Sequence, residues 1–300
     1  MRAVATTTLE GFITLFRGRG DVYGSWDGGC VKRPLTINQF RSHLEDGEKI
    51  GIYPSIVVNG VASCVWGCSD IDYDSYEEAA TLRDVLAAVD VKAWVEKTRK
   101  GYHVWVFSQA LVPSEAMRNM FLAAHQVAQT PPKEVNPKQT DLSNGKIGNY
   151  VRLPYPNGYD ATERRVLAGG NEAFMSLDFF VESALECRTE PATIVNLASY
   201  YTPPARHEVV VGEPSGDLKS ITDRLTPLAW TIFRAGPLEG RDRSTTLAHL
   251  AHECVKSGLS PADTMQVVTD ADMRWGKYVQ RGAEGIIELE KLVTRVHGSA

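Results

Sequence analysis

The feature that most constrains the fold of this chain is an alternation of strand and helix patterns between residues 64 and 128. Residues 64–69 form an apolar run rich in β-formers, and residues 76–89 follow with apolar positions spaced by three and four, as in an amphipathic helix. A second apolar run at 102–107 precedes a helical pattern at 114–128, with Ser114 as the expected N-cap. The order of elements in this segment is therefore strand, helix, strand, helix.

The flanking segments extend this domain in both directions. Residues 1–60 are mixed, with a short helix expected at 37–44, and they predict an additional N-terminal α/β lobe. Residues 147–155 predict a further strand. We therefore expect a two-lobed domain over residues 1–190.

The C-terminal part of the chain has a different character. Residues 191–216 contain several prolines and are the expected linker. Residues 217–300 show only helical patterns and predict a small helical bundle, so the 300 residues divide into two domains. The expected bundle helices cover residues 244–257, 261–270 with Ser260 as N-cap, and 284–296.

The composition excludes several classes of protein. With 43% hydrophobic and 23% charged residues, the chain is neither largely disordered nor fibrous. The five cysteines are scattered and odd in number, which favours a reducing compartment over a disulfide framework. No signal peptide, membrane span, phosphate-binding loop or dinucleotide fingerprint is recognisable, so we expect a cytoplasmic protein that does not bind membranes.

Two aspartates at the end of the first predicted strand suggest a metal site. Asp70 and Asp72 are two residues apart, so a strand would place both side chains on one face. Carboxylates are hard oxygen ligands that suit Mg²⁺ or Mn²⁺. An isolated pair of this kind is also common in a solvated turn, but residues 66–90 contain seven acidic residues and one basic residue.

The sign of the charge reverses immediately downstream. Residues 92–165 contain eleven basic and six acidic residues, although the whole chain has a net charge of −5. An acidic metal site beside a basic segment is suited to phosphoryl transfer, in which cations neutralise triphosphate and nucleic-acid backbone. A mixed-charge surface without function is the alternative.

The order of motifs resembles the archaeo-eukaryotic primase superfamily, and within it the primase-polymerase domains of phage and plasmid replication proteins. The resemblance covers about residues 43–155. Its elements, in order, are His43-Leu44-Glu45 with Gly51-Ile52-Tyr53-Pro54, Asp70-Ile71-Asp72, Gly101-Tyr102-His103-Val104-Trp105, residues 134–139, and Gly148-Asn149-Tyr150-Val151-Arg152-Leu153-Pro154.

This resemblance implies a role for each matched residue. Asp70, Asp72 and Glu134 correspond to the metal-binding carboxylates of the family, with Asp141 as the alternative to Glu134. Gly101 and His103 correspond to the motif that engages the phosphates of the incoming nucleotide, and many relatives have Ser in place of Gly101. The residues expected to bind triphosphate or sugar are Lys138, Asn149 and Arg152. The residues expected to contact backbone phosphates of the DNA template are Lys92, Lys97, Arg99 and Lys100.

The resemblance also implies a fold and a function. The fold would be of the α+β class, with an RRM-like primase-polymerase core and an N-terminal α/β lobe, followed here by the helical bundle. The function would be de novo primer synthesis and primer extension on single-stranded DNA from nucleoside triphosphates, with two Mg²⁺ or Mn²⁺ ions and no zinc. A fused or associated helicase is an expected partner, and the host cytoplasm is the expected location if the protein is encoded by a phage.

Three other functions are compatible with the same residues. A metal-dependent nuclease would use the carboxylates to break phosphodiesters. A glycosyltransferase with a D-x-D motif would bind a nucleotide-sugar and need no template. A non-catalytic RRM-like module would bind nucleic acid through stacking aromatic residues and would not need Asp70 or Asp72.

Overall fold

The chain folds into two compact units, which divide between Thr202 and Pro203. This computed structural model describes residues 3–71, 75–130, 134–170, 173–203, 210–237 and 242–298. Within these ranges no helix is long and apolar enough to cross a membrane. Each unit has its own hydrophobic core.

The first unit contains ten strands and six α-helices in its described part. In chain order they are α1 (Thr6–Leu15), β1 (Tyr23–Ser25), β2 (Cys30–Val31), α2 (Ile37–Glu45), β3 (Ile50–Ile52), β4 (Ile56–Val58), β5 (Val61–Ile71), α3 (Tyr76–Ala87), β6 (Ala93–Lys97), β7 (Tyr102–Pro113), α4 (Ser114–Ala128), β8 (Glu134–Asn136), β9 (Val151–Arg152), β10 (Arg165–Val166), α5 (Leu177–Glu186) and α6 (Pro191–Ala198).

The central sheet has the topology of an RRM domain. The elements β5, α3, β6, β7, α4 and β8 follow one another as β-α-β-β-α-β, and the strands lie side by side in the order β8-β5-β7-β6, all antiparallel. Strand β4 pairs with the beginning of β5, and β10 pairs with β6. The expected α+β fold with an RRM-like core is therefore confirmed, and β6 is a strand that the sequence did not predict.

The two faces of this sheet have different coverings. Helices α3 and α4 cover one face, where Val95, Val104 and Val135 are buried with helix residues such as Leu82 and Phe121. Side chains alternate between faces along a strand, so the neighbouring residues point the other way. On that second face the aromatic residues Trp66, Trp94, Trp105 and Phe107 pack against Phe16, directly after α1, and Phe180 of α5.

The N-terminal lobe is built around a second, four-stranded sheet. Its strand order is β2-β1-β3-β9, so the lobe takes one strand from residues that follow the RRM-like core in the sequence. Helix α2 begins with a capping box. The Thr36 hydroxyl accepts a backbone N–H of the first turn, and the Gln39 side chain accepts the Thr36 N–H. The lobe agrees with the expectation, although only Val151–Arg152 of the predicted strand at 147–155 is extended in the ladder.

Two local predictions need correction. The expected linker at 191–216 begins with a helix instead, because Ile194 of α6 is fully buried in the core and α6 packs against α4 and β7. Ser114 is the first residue of α4 and not its cap, and its hydroxyl lies 2.7 Å from the hydroxyl of Ser55.

The second unit is a bundle of helices, as the sequence predicts. Leu247, Leu250, Val267, Leu289 and Val293 are fully buried at its centre. The Ser260 hydroxyl accepts the Asp263 N–H at the start of the helix predicted at 261–270, as expected of an N-cap. Its helices are α7 (Leu218–Thr222), α8 (Pro227–Ala235), α9 (Arg243–Lys256), α10 (Pro261–Trp275) and α11 (Ala283–His297).

Candidate active site

The polar residues of interest meet at one end of the second sheet face, in a cleft of about 370 Å³ between the RRM-like core and the N-terminal lobe. Both lobes belong to the first unit. The cleft is lined by six of the residues that the sequence analysis selected, namely Asp70, Arg99, Lys100, His103, Glu134 and Arg152.

Strand register explains how residues so far apart in the sequence come together. Asp70 of β5 lies directly opposite His103 of β7 on one side and Glu134 of β8 on the other, and His103 lies opposite Glu96 of β6. Residues directly opposite one another in antiparallel strands have their side chains on the same face, with Cβ atoms about 5 Å apart. The result is a row across the sheet, Glu134, Asp70, His103 and Glu96, beside the buried aromatic layer.

Asn136 adds a third oxygen-bearing side chain beside the carboxylates of Asp70 and Glu134. It is two residues beyond Glu134 on β8, so both side chains project from the same face, and it also lines the cleft. Asn136 is 3% exposed, and its Oδ1 is buried without a hydrogen-bond partner among the described residues. A buried carbonyl oxygen without a partner is unfavourable unless a ligand or water occupies the site.

His103 is held on its other side by a buried ionic network. Its Nδ1 lies 3.1 Å from Oε2 of Glu96, and its Nε2 lies 3.6 Å from Oδ1 of Asp70. Glu96 is fully buried and also accepts the Trp105 indole N–H at 2.7 Å and pairs with Arg164 at 2.8 Å. Burial alone would raise the pKa of Glu96, but the charge of Arg164 and the contacts with His103 and Trp105 hold it below its usual value.

The opposite wall of the cleft comes from the N-terminal lobe. Arg152 of β9 donates to the carbonyl oxygen of Trp26 at 2.7 Å, and its guanidinium lies 4.9 Å from the centre of the indole ring. The cations of Lys49 and Arg164 also lie within 6 Å of that ring, at 4.6 and 5.6 Å. Trp26 therefore contacts three cations. Its carbonyl oxygen and its ring together hold Arg152 beside the cleft.

Tyr150 packs its ring against the N-terminal lobe, where two glycines leave room for it. A Cβ at Gly24 or Gly51 would lie 2.2 or 2.3 Å from the Tyr150 ring. The Tyr150 hydroxyl donates to the carbonyl oxygen of Ser25 at 3.1 Å. Tyr150 thus fastens the chain before β9 onto strands β1 and β3.

The basic turn between β6 and β7 forms the third side of the cleft. The Thr98 N–H donates to the Gly101 carbonyl at 2.8 Å, and the Gly101 N–H donates to the Thr98 hydroxyl at 3.1 Å. This closed turn presents the exposed Arg99 and Lys100 side chains at the cleft.

The other two predicted DNA contacts lie elsewhere. Lys97 faces the side of the sheet covered by helices, where its ammonium donates to the Tyr102 hydroxyl at 2.9 Å. Lys92 lines a separate cavity of about 310 Å³ and lies over the Trp94 ring. Lys92 and Lys97 therefore do not line the cleft that contains Arg99 and Lys100. Their contact with the template stays a prediction.

The remaining predicted residues are not among the described residues that line the cleft. Lys138 is 3.1 Å from the Glu134 carboxylate, and Asn149 accepts the Gln139 amide at 3.1 Å. Asp141, the alternative to Glu134, is exposed and accepts the Ser143 N–H at 2.8 Å, away from the strand row. Asp72 is outside the described residues, and within them no cluster of three or more His, Cys, Asp or Glu side chains is arranged around a metal position.

Three residues of the site escaped the sequence analysis as site residues, namely Glu96, Arg164 and Asn136. Glu96 and Arg164 entered it only as members of the charge count, since neither belongs to a recognised motif. The one available signal was the alternation of residues 93–97, which would place Glu96 on the same strand face as Trp94.

Comparison with known proteins identifies a family for the segment that contains the site. Residues 30–168 match the family model described as the archaeo-eukaryotic primase domain of the TOTE conflict system. This range includes the whole strand row and Arg152 of the opposite wall. The chain matches none of the curated proteins with which it was compared.

One solved structure is similar to the chain over most of its length. It is described as the crystal structure of the primase RepB′, with 14% sequence identity, 97% of this chain and 94% of that chain covered, and a TM-score of 0.30.

Proposed function

We propose, from the match of residues 30–168 to the archaeo-eukaryotic primase domain, that the protein is a DNA primase-polymerase. It would join nucleoside triphosphates on a single-stranded DNA template, starting primers de novo and extending them. The observation that carries the proposal is the row in which Asp70 lies between His103 and Glu134, facing a cleft with Arg99, Lys100 and Arg152.

The oxygen atoms at this row suit a divalent cation. Asp70 and Glu134 are carboxylates on directly opposed strand positions, and the unpartnered Oδ1 of Asn136 lies in the same lining. We propose that Asp70 and Glu134, with Asp72, hold two Mg²⁺ or Mn²⁺ ions. The bound ions would lower the pKa of the 3′-hydroxyl and offset negative charge on the triphosphate.

The remaining cleft residues would bind and orient the substrate. Arg152 can form two parallel hydrogen bonds to a phosphate, and its position is fixed by Trp26 before substrate arrives. His103 presents Nε2 towards Asp70 and the cleft, where a triphosphate would lie. Preorganised donors of this kind stabilise charge that develops during transfer without needing to reorganise.

The basic turn is the element best placed for the template. Arg99 and Lys100 are exposed at the cleft margin, so their charges can reach backbone phosphates of single-stranded DNA. We propose Lys138 and Asn149 as contacts to the triphosphate or sugar, and Gly101 as the residue that lets a phosphate approach the turn. A role in phage or plasmid replication, together with a helicase, remains a prediction.

The test is synthesis on unprimed single-stranded DNA with labelled nucleotides and Mg²⁺ or Mn²⁺. We expect template-dependent products from the wild type, none from Asp70→Asn, and normal yield from Asp84→Asn. Asp84 is a matched control because its carboxylate pairs with Arg83 on the exposed side of α3, away from the cleft.

Each alternative function predicts a different result in this assay. A nuclease would shorten the template, and a glycosyltransferase would consume a nucleotide-sugar without any template. A non-catalytic module would bind the DNA equally well as wild type and as Asp70→Asn and would yield no product. Any of these outcomes would overturn the proposal.

A further inference from the structure

The carboxylate of Glu96 lies behind His103, on the side away from the cleft. Glu96 is fully buried, and no part of it lines the cleft. A buried carboxylate is costly unless hydrogen bonds and opposite charge compensate it. Here the compensation comes from three side chains, Arg164, Trp105 and His103.

The hydrogen-bond inventory assigns a proton to Nδ1 of His103. An ionised Glu96 can only accept, and its Oε2 lies 3.1 Å from Nδ1. If Nδ1 carried a lone pair, two acceptors would face each other at that distance. A proton on Nδ1 removes the repulsion and supplies the hydrogen bond.

Arg164 is the second neighbour of this nitrogen. Its Nη2 lies 3.2 Å from Nδ1, so Nδ1 could in principle accept from it. Nη2 already donates to the Arg152 carbonyl oxygen at 2.8 Å, and the ionised Oε1 of Glu96 lies nearer to Nη2, at 2.8 Å, than Nδ1 does. Oε1 has no hydrogen bond of normal geometry among the described residues, so its contact with Arg164 is electrostatic. Charge therefore favours Glu96 over the ring nitrogen as the partner of the guanidinium, and Nδ1 is left to donate to Oε2.

We propose that Glu96 is a positioning residue for His103, held in place by Arg164 and Trp105, and that it fixes the imidazole with Nδ1–H towards Glu96 and Nε2 towards the cleft. This inference rests on the proposed function for its consequence, since a fixed Nε2 matters where a nucleotide phosphate binds. Glu96 itself would touch neither substrate nor metal.

The functional test is a double-mutant cycle on a primed template. We expect Glu96→Gln to lower kcat/KM for the incoming nucleotide by about ten- to hundredfold, mainly through KM, the range expected for a lost hydrogen bond to a charged group. In a His103→Ala background the same substitution should cost less than about twofold, because Glu96 would have nothing left to orient. Equal losses in both backgrounds would overturn the proposal.

A matched control separates positioning from general damage to a buried ion pair. Asp263 is 1% exposed and pairs with Arg224 in the second unit at 3.0 Å, as Glu96 pairs with Arg164 in the first. Asp263→Asn should leave the nucleotide KM unchanged. A rise in KM equal to that of Glu96→Gln would show that any broken buried pair has this effect, and would overturn the proposal.

A spectroscopic measurement on the wild type needs neither activity nor a variant that folds. In ¹⁵N-labelled protein, the His103 Nδ1 should show a directly bonded proton, and an unprotonated Nδ1 would overturn the proposal. If the wild type makes no DNA but Nδ1 carries its proton, the proposed function fails while the orientation of His103 by Glu96 stands.

Discussion

Acid should weaken the N-terminal lobe through a single buried histidine, His43. This side chain is fully buried, its Nε2–H donates to the Pro154 carbonyl oxygen at 2.9 Å, and its Nδ1 accepts the Ile50 N–H at 3.3 Å. A second proton on Nδ1 would face that N–H. His43 thereby ties α2 both to β3 and to the segment directly after β9, the strand that carries Arg152.

The size of the effect follows from the pKa. Burial lowers the pKa of His43 from 6.5 to about 4. The unfolded chain therefore takes up a proton between these values while the folded chain does not, so the contribution to stability is present above pH 6.5 and is lost as the pH falls towards 4. Between about pH 7.5 and 5.5 the loss amounts to about 1.3 kcal/mol in the free energy of unfolding.

The assay is urea unfolding of the full chain at the two pH values, for the wild type and His43→Gln. Tryptophan fluorescence reports mainly on the first unit, since four of the six tryptophans lie there. Gln keeps a donor near Pro154 but does not titrate, so the pH dependence of the variant should be smaller by about 1.3 kcal/mol. Parallel pH profiles of the two proteins, or a folded-state His43 that titrates near 6.5, would refute the reasoning.

Two further substitutions test the walls of the cleft. Trp26→Ala should raise the nucleotide KM by about three- to tenfold in steady-state extension, because Arg152 loses a cation–π contact worth about 1 kcal/mol; Trp230→Ala, which removes a similar contact in the second unit, should leave KM unchanged. Glu134→Gln should abolish primer extension, whereas Asp141→Asn should not. The reverse result would show that Asp141, and not Glu134, is the metal-binding carboxylate.

The elements with strong periodicity were predictable from the sequence alone. The apolar runs of β5 and β7 and the helices α3 and α4 follow from local patterns that pack onto one another. Strand β6 was not recognised because it is short, ends in charged residues, and is defined mainly by pairing with β7 and β10. Pairing between strands is a tertiary property that a single segment does not encode.

The residues of the candidate site also divide into those that the sequence predicts and those that only the fold reveals. Asp70, His103, Glu134 and Arg152 belong to motifs, and the fold brings all four to one cleft. The charge reversal along the chain also has a structural counterpart, since the acidic residue Asp70 and the cations Arg99 and Lys100 line that cleft together. The net charge of −5 gave no indication of this arrangement.

Glu96 shows why the second layer of such a site is hard to predict. Taken alone, a glutamate beside a lysine at the end of a short strand indicates a solvated surface. Its burial becomes favourable only when Arg164, 68 positions away, folds back against it and leaves its charge compensated. A slip of one residue in β6 would instead turn Lys97 towards His103 and bury a cation beside it. The register that buries Glu96 is therefore the same one that gives His103 its partner, so folding and the preparation of the site depend on one set of strand pairs.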